Sequence, residues 1–163
     1  MSWLDLQSAD PELAAFGRKR LDGRVAYLAT VRADGSPRVH PVAPIIGSSR
    51  LFVFMEPTSP KGKDLDRDPR FALHASVEDN NGGEGEFMAS GRASRVTDSA
   101  SRAVAASAAN YSPADRYILF ELLIDRAQST TYENGRPVRH QWRHLTPRPP
   151  LHASGEAESL PRE

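Results

Sequence analysis

The sequence contains no cysteine among its 163 residues. This absence excludes disulfide bonds, thiol catalysis and metal sites with thiolate ligands, so redox chemistry would need a bound cofactor. The chain also lacks net charge, because Lys and Arg together number 21 and Asp and Glu together number 21. No overall field attracts nucleic acid or an anionic membrane, and we expect neither as a partner. Any anion site must therefore be built locally.

Long apolar runs are absent as well. No stretch approaches the length of a membrane span, and the N-terminus carries Asp5 where a signal peptide would have lysine, so we expect a cytoplasmic protein. A composition of 39% hydrophobic and 26% charged residues is that of a folded domain, and the length suits one core. From Thr146 onward the chain is rich in Pro, Ser and Glu without periodicity. We predict one domain over residues 1–146 and a disordered tail over 147–163.

Alternating apolar residues and turn signals predict mostly strands. Asp10 before Pro11 predicts a helix that ends near Leu21, and Asp98 begins an alanine-rich helix. Strands are predicted at 24–32, 36–43, 51–55, 70–77, 86–96 and 117–124, with a last hairpin formed by 130–133 and 137–145. Asp34-Gly35 and Asn134-Gly135 are hairpin turns, and Gly91 is expected at a bulge. Six or seven strands joined mostly by hairpins predict an antiparallel barrel that is mainly β with short helices, an α+β protein.

The segment from Ser59 to Lys63 has the chemistry of a phosphate site. Ser59 and Pro60 predict the start of a short helix, and the amides of Lys61 and Gly62 are expected to point outward at the positive end of the helix dipole. Lys61 and Lys63 add two full charges, which suits a phosphate monoester. A solvated basic turn would have the same composition, so the segment alone leaves both interpretations open.

The predicted strand 36–43 places Arg38, His40 and Val42 on one face and Val39 and Pro41 on the other. A positive pair on a half-buried face needs an anion or a carboxylate as partner. Proline cannot donate to a ladder, so this strand is expected at a sheet edge or at a bulge. Arg38 alone would more commonly remain in water after the hairpin turn.

The histidines do not predict a metal site. His140 and His144 are four residues apart in a predicted strand, which separates them by about 13 Å, too far to share one zinc ion. The glycine-rich stretch 82–85 lacks the dinucleotide-binding fingerprint and is interpreted as a hairpin loop.

The order of these features resembles the pyridoxamine 5′-phosphate oxidase-like family, the FMN-binding split-barrel superfamily. The features that carry the resemblance are the strand 25–30, the Asp34-Gly35 turn, the strand 38–43, Phe52-Val53-Phe54, Ser59-Pro60-Lys61 and Asp68-Pro69. The resemblance spans roughly residues 13–147 and is strongest over 27–73. It implies a split β-barrel that binds FMN at a homodimer interface.

The resemblance also implies a role for particular residues in holding FMN. The second-strand residues Arg38, Val39, His40, Pro41 and Val42 match the family segment along the phosphate, ribityl chain and ring edge, and the third strand ends at Phe54 and Met55. Ser59 begins the turn that matches the family's phosphate turn, and Lys61 matches its phosphate lysine. Glu86 stands where the oxidases have glutamine. Trp142 matches an aromatic residue that approaches the partner subunit's flavin. A core position for Trp142 fits its sequence context nearly as well.

Two departures from the family pattern concern chemistry. Pro60 replaces an arginine next to the phosphate lysine, so Lys63 would have to compensate. The helix 99–109 and the Arg136-Pro137-Val138 segment lack the residues with which the oxidases hold their vitamin substrate. We therefore expect an FMN-dependent oxidoreductase that acts on a small molecule other than pyridoxamine phosphate, with no catalytic residue assigned.

Two alternatives remain open at this point. One is a deazaflavin-dependent reductase of the same fold, in which Arg18, Lys19 and Arg20 would contact the longer acidic tail of the cofactor. The other is a non-catalytic split barrel that binds flavin or haem, with His74 or His140 as an axial ligand.

Overall fold

Four helices and eight strands make up the computed structural model, which describes residues 1–80 and 82–144. The helices are α1 (Trp3–Ala9), α2 (Pro11–Leu21), α3 (Pro60–Arg67) and α4 (Ser99–Ala108). The strands are β1 (Ala26–Val31), β2 (Pro37–Val42), β3 (Ile45–Gly47), β4 (Arg50–Met55), β5 (Arg70–Ala75), β6 (Glu86–Val96), β7 (Ile118–Glu133) and β8 (Arg136–Arg143). The predicted tail, residues 147–163, lies outside the described residues.

All eight strands belong to one antiparallel sheet with the order β2-β1-β5-β6-β7-β4-β3, and β8 pairs with β7. Within the described residues no ladder joins β2 to β3, so the barrel is split rather than closed. The predicted fold class is confirmed. The sheet has eight strands rather than six or seven, and β3 is a short edge strand that the sequence pattern did not indicate. Pro41 lies in β2, at the sheet edge, as its missing amide requires.

The longest strand, β7, was predicted as two separate strands. Its first part pairs with β4 and its second part with β8, while β6 pairs along almost its whole length. The register of β6 against β7 shifts between Ser90 and Gly91, which confirms the predicted bulge. A Cβ at Gly91 would lie 2.0 Å from the carbonyl oxygen of Leu123, so no side chain fits there.

The main core lies between the inner face of the sheet and the first two helices. The helix residues Trp3, Leu6, Leu13 and Leu21 are buried there. Their partners on the sheet are Leu28, Leu51, Val53, Leu73, Phe87, Ala89, Phe120, Leu122 and Ile124. A Cβ at Gly17 would lie 2.5 Å from the ring of Phe87, so this glycine lets α2 approach β6 closely.

A second, smaller core covers the opposite face of β3, β4 and β7. Ile45, Phe52, Phe54 and Leu119 pack there against Ala105 of α4. Strand β4 is therefore buried on both faces, which confirms its predicted central position.

Local hydrogen bonds from side chains stabilise the first turns of the helices. The Asp10 carboxylate accepts the amide of Leu13 at 3.1 Å, and the Asp98 carboxylate accepts the amide of Ser101 at 2.7 Å, which confirms both predicted caps. Helix α1 was not predicted, although its Ser2 amide donates to the Asp5 carboxylate at 2.7 Å in a capping-box arrangement. In the described part of the chain, no helix is both long and apolar enough to cross a bilayer.

Candidate anion-binding site

The candidate site begins with a buried carboxylate on α3. Asp64 is only 3% exposed on the underside of this helix, which packs against β1. Its Oδ2 accepts the hydroxyl of Thr30 at 2.9 Å and the Nε–H of Arg38 at 2.7 Å. Its Oδ1 accepts a hydrogen bond from Arg67 at 3.2 Å, and Arg67 also donates to the carbonyl of Val31 at 2.6 Å. The carboxylate therefore ties α3 to the β1–β2 hairpin.

The charge of Asp64 is stabilised where it lies. Burial alone would raise the pKa of Asp64, but the hydrogen bonds from Arg38, Thr30 and Arg67 outweigh it and lower that pKa below its ordinary value. Asp64 is thus an anion at neutral pH, and it provides the partner that a half-buried Arg38 needs.

Beside this ion pair, the ring of His40 lies within range of the charges of Lys61 and Arg38. Burial, the charge of Lys61 and the charge of Arg38 together lower the pKa of His40, so its ring is neutral at pH 7. The Nε2 atom of His40 is buried and has no hydrogen-bond partner in the described structure. Burial also lowers the pKa of Lys61, which forms no salt bridge with any described residue.

These side chains form a site with an excess of donors. Lys61 and Arg38 are cations, His40 becomes a donor at both ring nitrogens when protonated, and Asp64 balances only part of the charge. A buried polar atom without a partner is costly, and a ligand oxygen would satisfy it. The arrangement suits a phosphate monoester, whose oxygens accept charge-assisted hydrogen bonds.

The turn itself differs from the prediction in two ways. Ser59 occupies the N-cap position and Pro60 the first helical position, but the Ser59 side chain makes no capping hydrogen bond. The amides of Gly62 and Lys63 donate to the carbonyl of Ser59 at 3.1 and 3.3 Å, so the Gly62 amide does not point outward as predicted. Gly62 is buried against Met55, and a Cβ there would lie 3.2 Å from its sulfur. Its missing side chain serves packing rather than the close approach of a ligand.

Successive side chains of β2 point to opposite faces of the sheet, so its predicted site residues lie on two different sides. Arg38, His40 and Val42 lie on the inner side, with Val42 buried, whereas Val39 and Pro41 are exposed on the outer side. Only the inner side meets Lys61. Sequence reasoning therefore identified Arg38, His40 and Lys61, which we call the cation cluster.

Three further predicted residues lie at the end of β4 and on α3, and they differ in exposure. Met55 is buried in the main core beneath Gly62, and Phe54 is buried in the second core, where the guanidinium of Arg102 lies 5.0 Å from its ring centre. Lys63 is exposed on the helix surface. Lys61 alone of the two lysines is half-buried beside His40.

Glu86 and Trp142 are not brought to the cluster within this chain. Glu86 begins β6 and accepts the hydroxyl of Tyr132 at 2.8 Å. It lies four residues before Ser90, which shares a register row with Ala29 next to Thr30, and four residues of strand span about 13 Å. Trp142 pairs with Ala127 and packs half-buried against the main core.

The candidate haem ligands differ in availability. The Nε2 of His140 lies 2.8 Å from a carboxylate oxygen of Asp10. The Nδ1 of His74 lies 2.7 Å from the carbonyl oxygen of Ala75. A carbonyl only accepts, so Nδ1 carries the proton and Nε2 of neutral His74 keeps its lone pair.

The basic residues that a deazaflavin tail would need are largely engaged. Arg20 is buried, donates to the carbonyl of Ser76 at 2.7 Å and pairs with Glu84, while Arg18 pairs with Asp22. Lys19 is exposed.

Sequence reasoning missed Asp64, Thr30 and Arg67. The available signal was spacing: Asp64 lies three residues after Lys61 and three residues before Arg67, so it is a surface neighbour of both on α3. Among the described residues, no group of three or more His, Asp or Glu side chains is placed to hold a metal ion.

The model of the family named pyridoxamine 5′-phosphate oxidase matches residues 10–132, which include β1 to β6, all but the last residue of β7, and the whole cation cluster. No curated protein matches the sequence of the chain.

Solved structures of similar fold include proteins of different roles. A haem-binding protein from Mycobacterium smegmatis has a TM-score of 0.63 at 20% identity, over 80% of this chain and 58% of its own length. The haem storage protein HutZ from Vibrio cholerae has a TM-score of 0.51 at 19% identity, over 71% and 89%. A NimC/NimA family protein from Clostridium acetobutylicum has a TM-score of 0.59 at 16% identity, over 86% and 94%. At these identities the likeness concerns the fold, and this chain spans less than two thirds of the M. smegmatis protein.

Proposed function

We propose that this chain, which belongs to the pyridoxamine 5′-phosphate oxidase family, binds FMN and serves as a flavin-dependent oxidoreductase. The observation that carries the proposal is the unpartnered Nε2 of His40 beside Lys61 and Arg38. A phosphate placed among them would accept from the ammonium, the guanidinium and the imidazole, and would relieve a buried polar atom.

The chain's own residues would bind and orient the cofactor. Lys61, His40 and Arg38 would hold the phosphate, and Asp64 would fix Arg38 through its 2.7 Å hydrogen bond. When bound, the flavin itself supplies hydride or electron transfer.

The substrate we propose is a small molecule other than pyridoxamine phosphate. Two polar residues of α4 are already engaged: Arg102 donates to the carbonyls of Tyr117, Ala114 and Asp115, and the hydroxyl of Ser101 accepts from Arg50 at 2.7 Å. They are therefore not available to hold the phosphate of a vitamin substrate.

We also propose that the protein is a homodimer with its cofactors at the interface. Phe52 and Phe54 do not provide an apolar surface for a partner, because α4 covers both. Three exposed apolar residues lie together on the outer side of β1, β2 and β6: Val39 is 61% exposed, Tyr27 46% and Met88 39%. We call these three, together with Pro41, the outer strip. A second copy covering it would remove apolar surface from water.

An absorption spectrum of the purified protein tests the flavin proposal. We expect a bound yellow chromophore, or its appearance when FMN is added to the apoprotein. Riboflavin, which lacks the phosphate, should bind more weakly. No flavin spectrum under either condition would refute the proposal.

The dimer proposal has a separate test by sedimentation or light scattering. We expect two chains per particle, and we expect Val39→Asp to shift the particle toward one chain because it places a charge in the outer strip. A monomeric wild-type protein would refute it.

The deazaflavin alternative requires the same site with a longer acidic tail. The engagement of Arg18 and Arg20 with carboxylates favours FMN. Parallel titrations with FMN and a deazaflavin cofactor decide between them: tighter binding of the deazaflavin would replace FMN in the proposal.

One observation favours a second function, haem binding. His74 lies on the outer side of β5, between Tyr27 and Met88 in the sheet register, and its bond to Ala75 leaves Nε2 as the nitrogen with a lone pair. A neutral imidazole oriented by a carbonyl through its other nitrogen is a suitable axial ligand. Two of the structures similar in fold are haem proteins by name.

Titration of the apoprotein with haem tests this second function. If His74 is the ligand, a Soret band appears, His74→Ala abolishes its shift, and His140→Ala leaves it unchanged. The absence of a Soret shift in the wild-type protein would exclude the function.

A further inference from the structure

A pocket of about 400 Å³ lies on the outer face of β6, β7 and β8, away from the cation cluster. Its lining comprises Met88, Ser90, Arg126, Gln128, Gln141 and Arg143, with the edges of Ala127 and Trp142. Its volume falls within the range of small-molecule sites. Two of these residues occur in the proposals above: the resemblance assigns Trp142 to the partner subunit's flavin, and Met88 belongs to the outer strip.

The pocket contains an unusual pair of like charges. Arg126 of β7 and Arg143 of β8 are directly opposite each other in the antiparallel ladder. Directly opposed residues have Cβ atoms about 5 Å apart, where like charges destabilise the pairing. Neither arginine forms a salt bridge with a carboxylate of residues 1–80 or 82–144. Two adjacent guanidinium groups without a counterion form a binding site for an anion.

The neighbouring register row of the pocket is uncharged. Gln128 and Gln141 are also paired across β7 and β8, two residues along from the arginines on the same face, at a distance of about 7 Å. The amide nitrogen of Gln141 donates to Gln128 at 2.7 Å, and that of Gln128 donates to Thr130 at 3.3 Å. Each of these bonds uses one amide hydrogen, and no described residue donates to the amide oxygen of Gln141, which is left as an acceptor.

The remaining surface of the pocket gives room for an apolar body. Met88 pairs with Gln128 across β6 and β7 and is 39% exposed, and Ser90 pairs with Arg126. The pocket thus offers the two cations of Arg126 and Arg143, the thioether of Met88, and the acceptor oxygen of Gln141.

We propose that this pocket binds a small organic acid whose carboxylate lies between Arg126 and Arg143 and whose far end donates a hydrogen bond to Gln141. The ligand class goes beyond the proposed cofactor, and its binding does not require FMN. The ligand is a carboxylate with an apolar middle and a hydroxyl or amine about 7 Å from the acid group.

Calorimetric titration of the apoprotein with 4-hydroxyphenylacetate tests the proposal. Phenylacetate lacks the donor, 2-(4-hydroxyphenyl)ethanol lacks the charge, and phenyl phosphate replaces the carboxylate with a phosphate. We expect the order of affinity to be 4-hydroxyphenylacetate, then phenylacetate, with the alcohol too weak to measure. Tighter binding of phenyl phosphate would overturn the carboxylate assignment.

The variants Arg126→Gln and Arg143→Gln should each weaken 4-hydroxyphenylacetate binding about 10-fold or more, since each removes one charge-assisted interaction. Arg136→Gln is the matched control: it removes the same charge from β8 but lies seven residues from Arg143, about 23 Å along the strand. An equal effect of all three variants would indicate general electrostatics and would overturn the site.

Titrations with FMN separate this inference from the proposed function. The Arg126 and Arg143 variants should keep wild-type FMN affinity, and Lys61→Ala should keep wild-type affinity for 4-hydroxyphenylacetate. If the arginine variants lose FMN as well, the pocket belongs to the cofactor site and the proposal of a separate acid site is wrong. No binding of 4-hydroxyphenylacetate to the wild-type protein would also refute it and would leave the FMN proposal untouched.

Discussion

The Nε–H of Arg38 donates to Oδ2 of Asp64 at 2.7 Å, and this one hydrogen bond joins an edge strand to the helix that carries Lys61. The hydroxyl of Thr30 reaches the same oxygen from the neighbouring strand. The proposed phosphate ligands on two separate elements are thus held in register by a residue that would not itself contact the phosphate.

Removing the charge of Asp64 should destabilise the fold. Asp64→Asn leaves Arg38 and Arg67 without their common carboxylate, and we expect the free energy of unfolding to fall by about 2 kcal/mol in urea denaturation. Asp66→Asn is the control on the same helix: its pair with Arg95 is exposed, so a loss of less than about 0.5 kcal/mol is expected. Equal losses in the two variants would contradict the assigned role.

The same carboxylate predicts how stability depends on pH. The folded-state pKa of Asp64 is lowered, so its contribution is complete above the unfolded carboxyl pKa of about 3.9 and is lost as pH falls through the folded pKa. Asp68, whose pKa the hydrogen bonds from Arg70 lower to about 2, gives a slope of the same sign. Thermal unfolding of wild type and Asp64→Asn between pH 6 and pH 3 should show a smaller decline in the variant. Parallel curves would show that Asp64 does not titrate in this range.

Lys61 and Lys63 are separated by one residue and should differ in effect. Lys61→Ala removes the half-buried ammonium beside His40 and should weaken FMN binding by about 1.5 to 3 kcal/mol, roughly 10- to 100-fold. Lys63→Ala removes an equal charge from the exposed surface of α3 and should cost severalfold at most. Fluorescence titration with FMN measures both affinities. Equal effects would move the phosphate away from Lys61.

Binding of FMN should take up a proton at His40. In the free protein, burial and the charges of Lys61, Arg38 and Arg32 lower the pKa of His40, and Asp64 opposes them. A bound phosphate adds negative charge and raises this pKa, so affinity should increase as pH falls from 8 to 6.5, by up to about tenfold per pH unit.

Two controls isolate the contribution of His40. His40→Gln should bind FMN with little pH dependence over that range, and riboflavin should show little pH dependence with the wild-type protein. The range stops above pH 6 because the phosphate of FMN takes up its own proton near there. A pH slope that persists in His40→Gln would assign the proton to another group.

Features governed by neighbouring residues could be predicted from the sequence. The bounds of α2 and β6 were predicted to the residue, because Asp10-Pro11 and the alternation after Glu86 are local signals. Strand β7 was split in the prediction because Asp125 and Arg126 interrupt its apolar run. Within the sheet Asp125 is the residue skipped at the bulge, since Ser90 pairs with Arg126 and Gly91 with Ile124, and the strand continues beyond it.

The site was predictable only in part for a similar reason. Arg38, His40 and Lys61 could be identified because their charge and alternation are visible in sequence. The carboxylate that joins them could not, since the pairing of Asp64 with Arg38 depends on how α3 docks on β1 and β2. The same holds for Gly62, whose missing side chain is explained by Met55 and not by a ligand.

Among residues 1–80 and 82–144, strand β8 pairs with β7 alone, and it is exposed along nearly its whole length. Its backbone hydrogen bonds are therefore the ladder most easily opened by local fluctuation, and its amides should exchange with deuterium long before those of β6 or β4. Arg143 and Gln141 both lie on this strand, so an acid bound across β7 and β8 would hold β8 against β7. Slower exchange along β8 would then report occupancy of the pocket at residues that never contact the ligand.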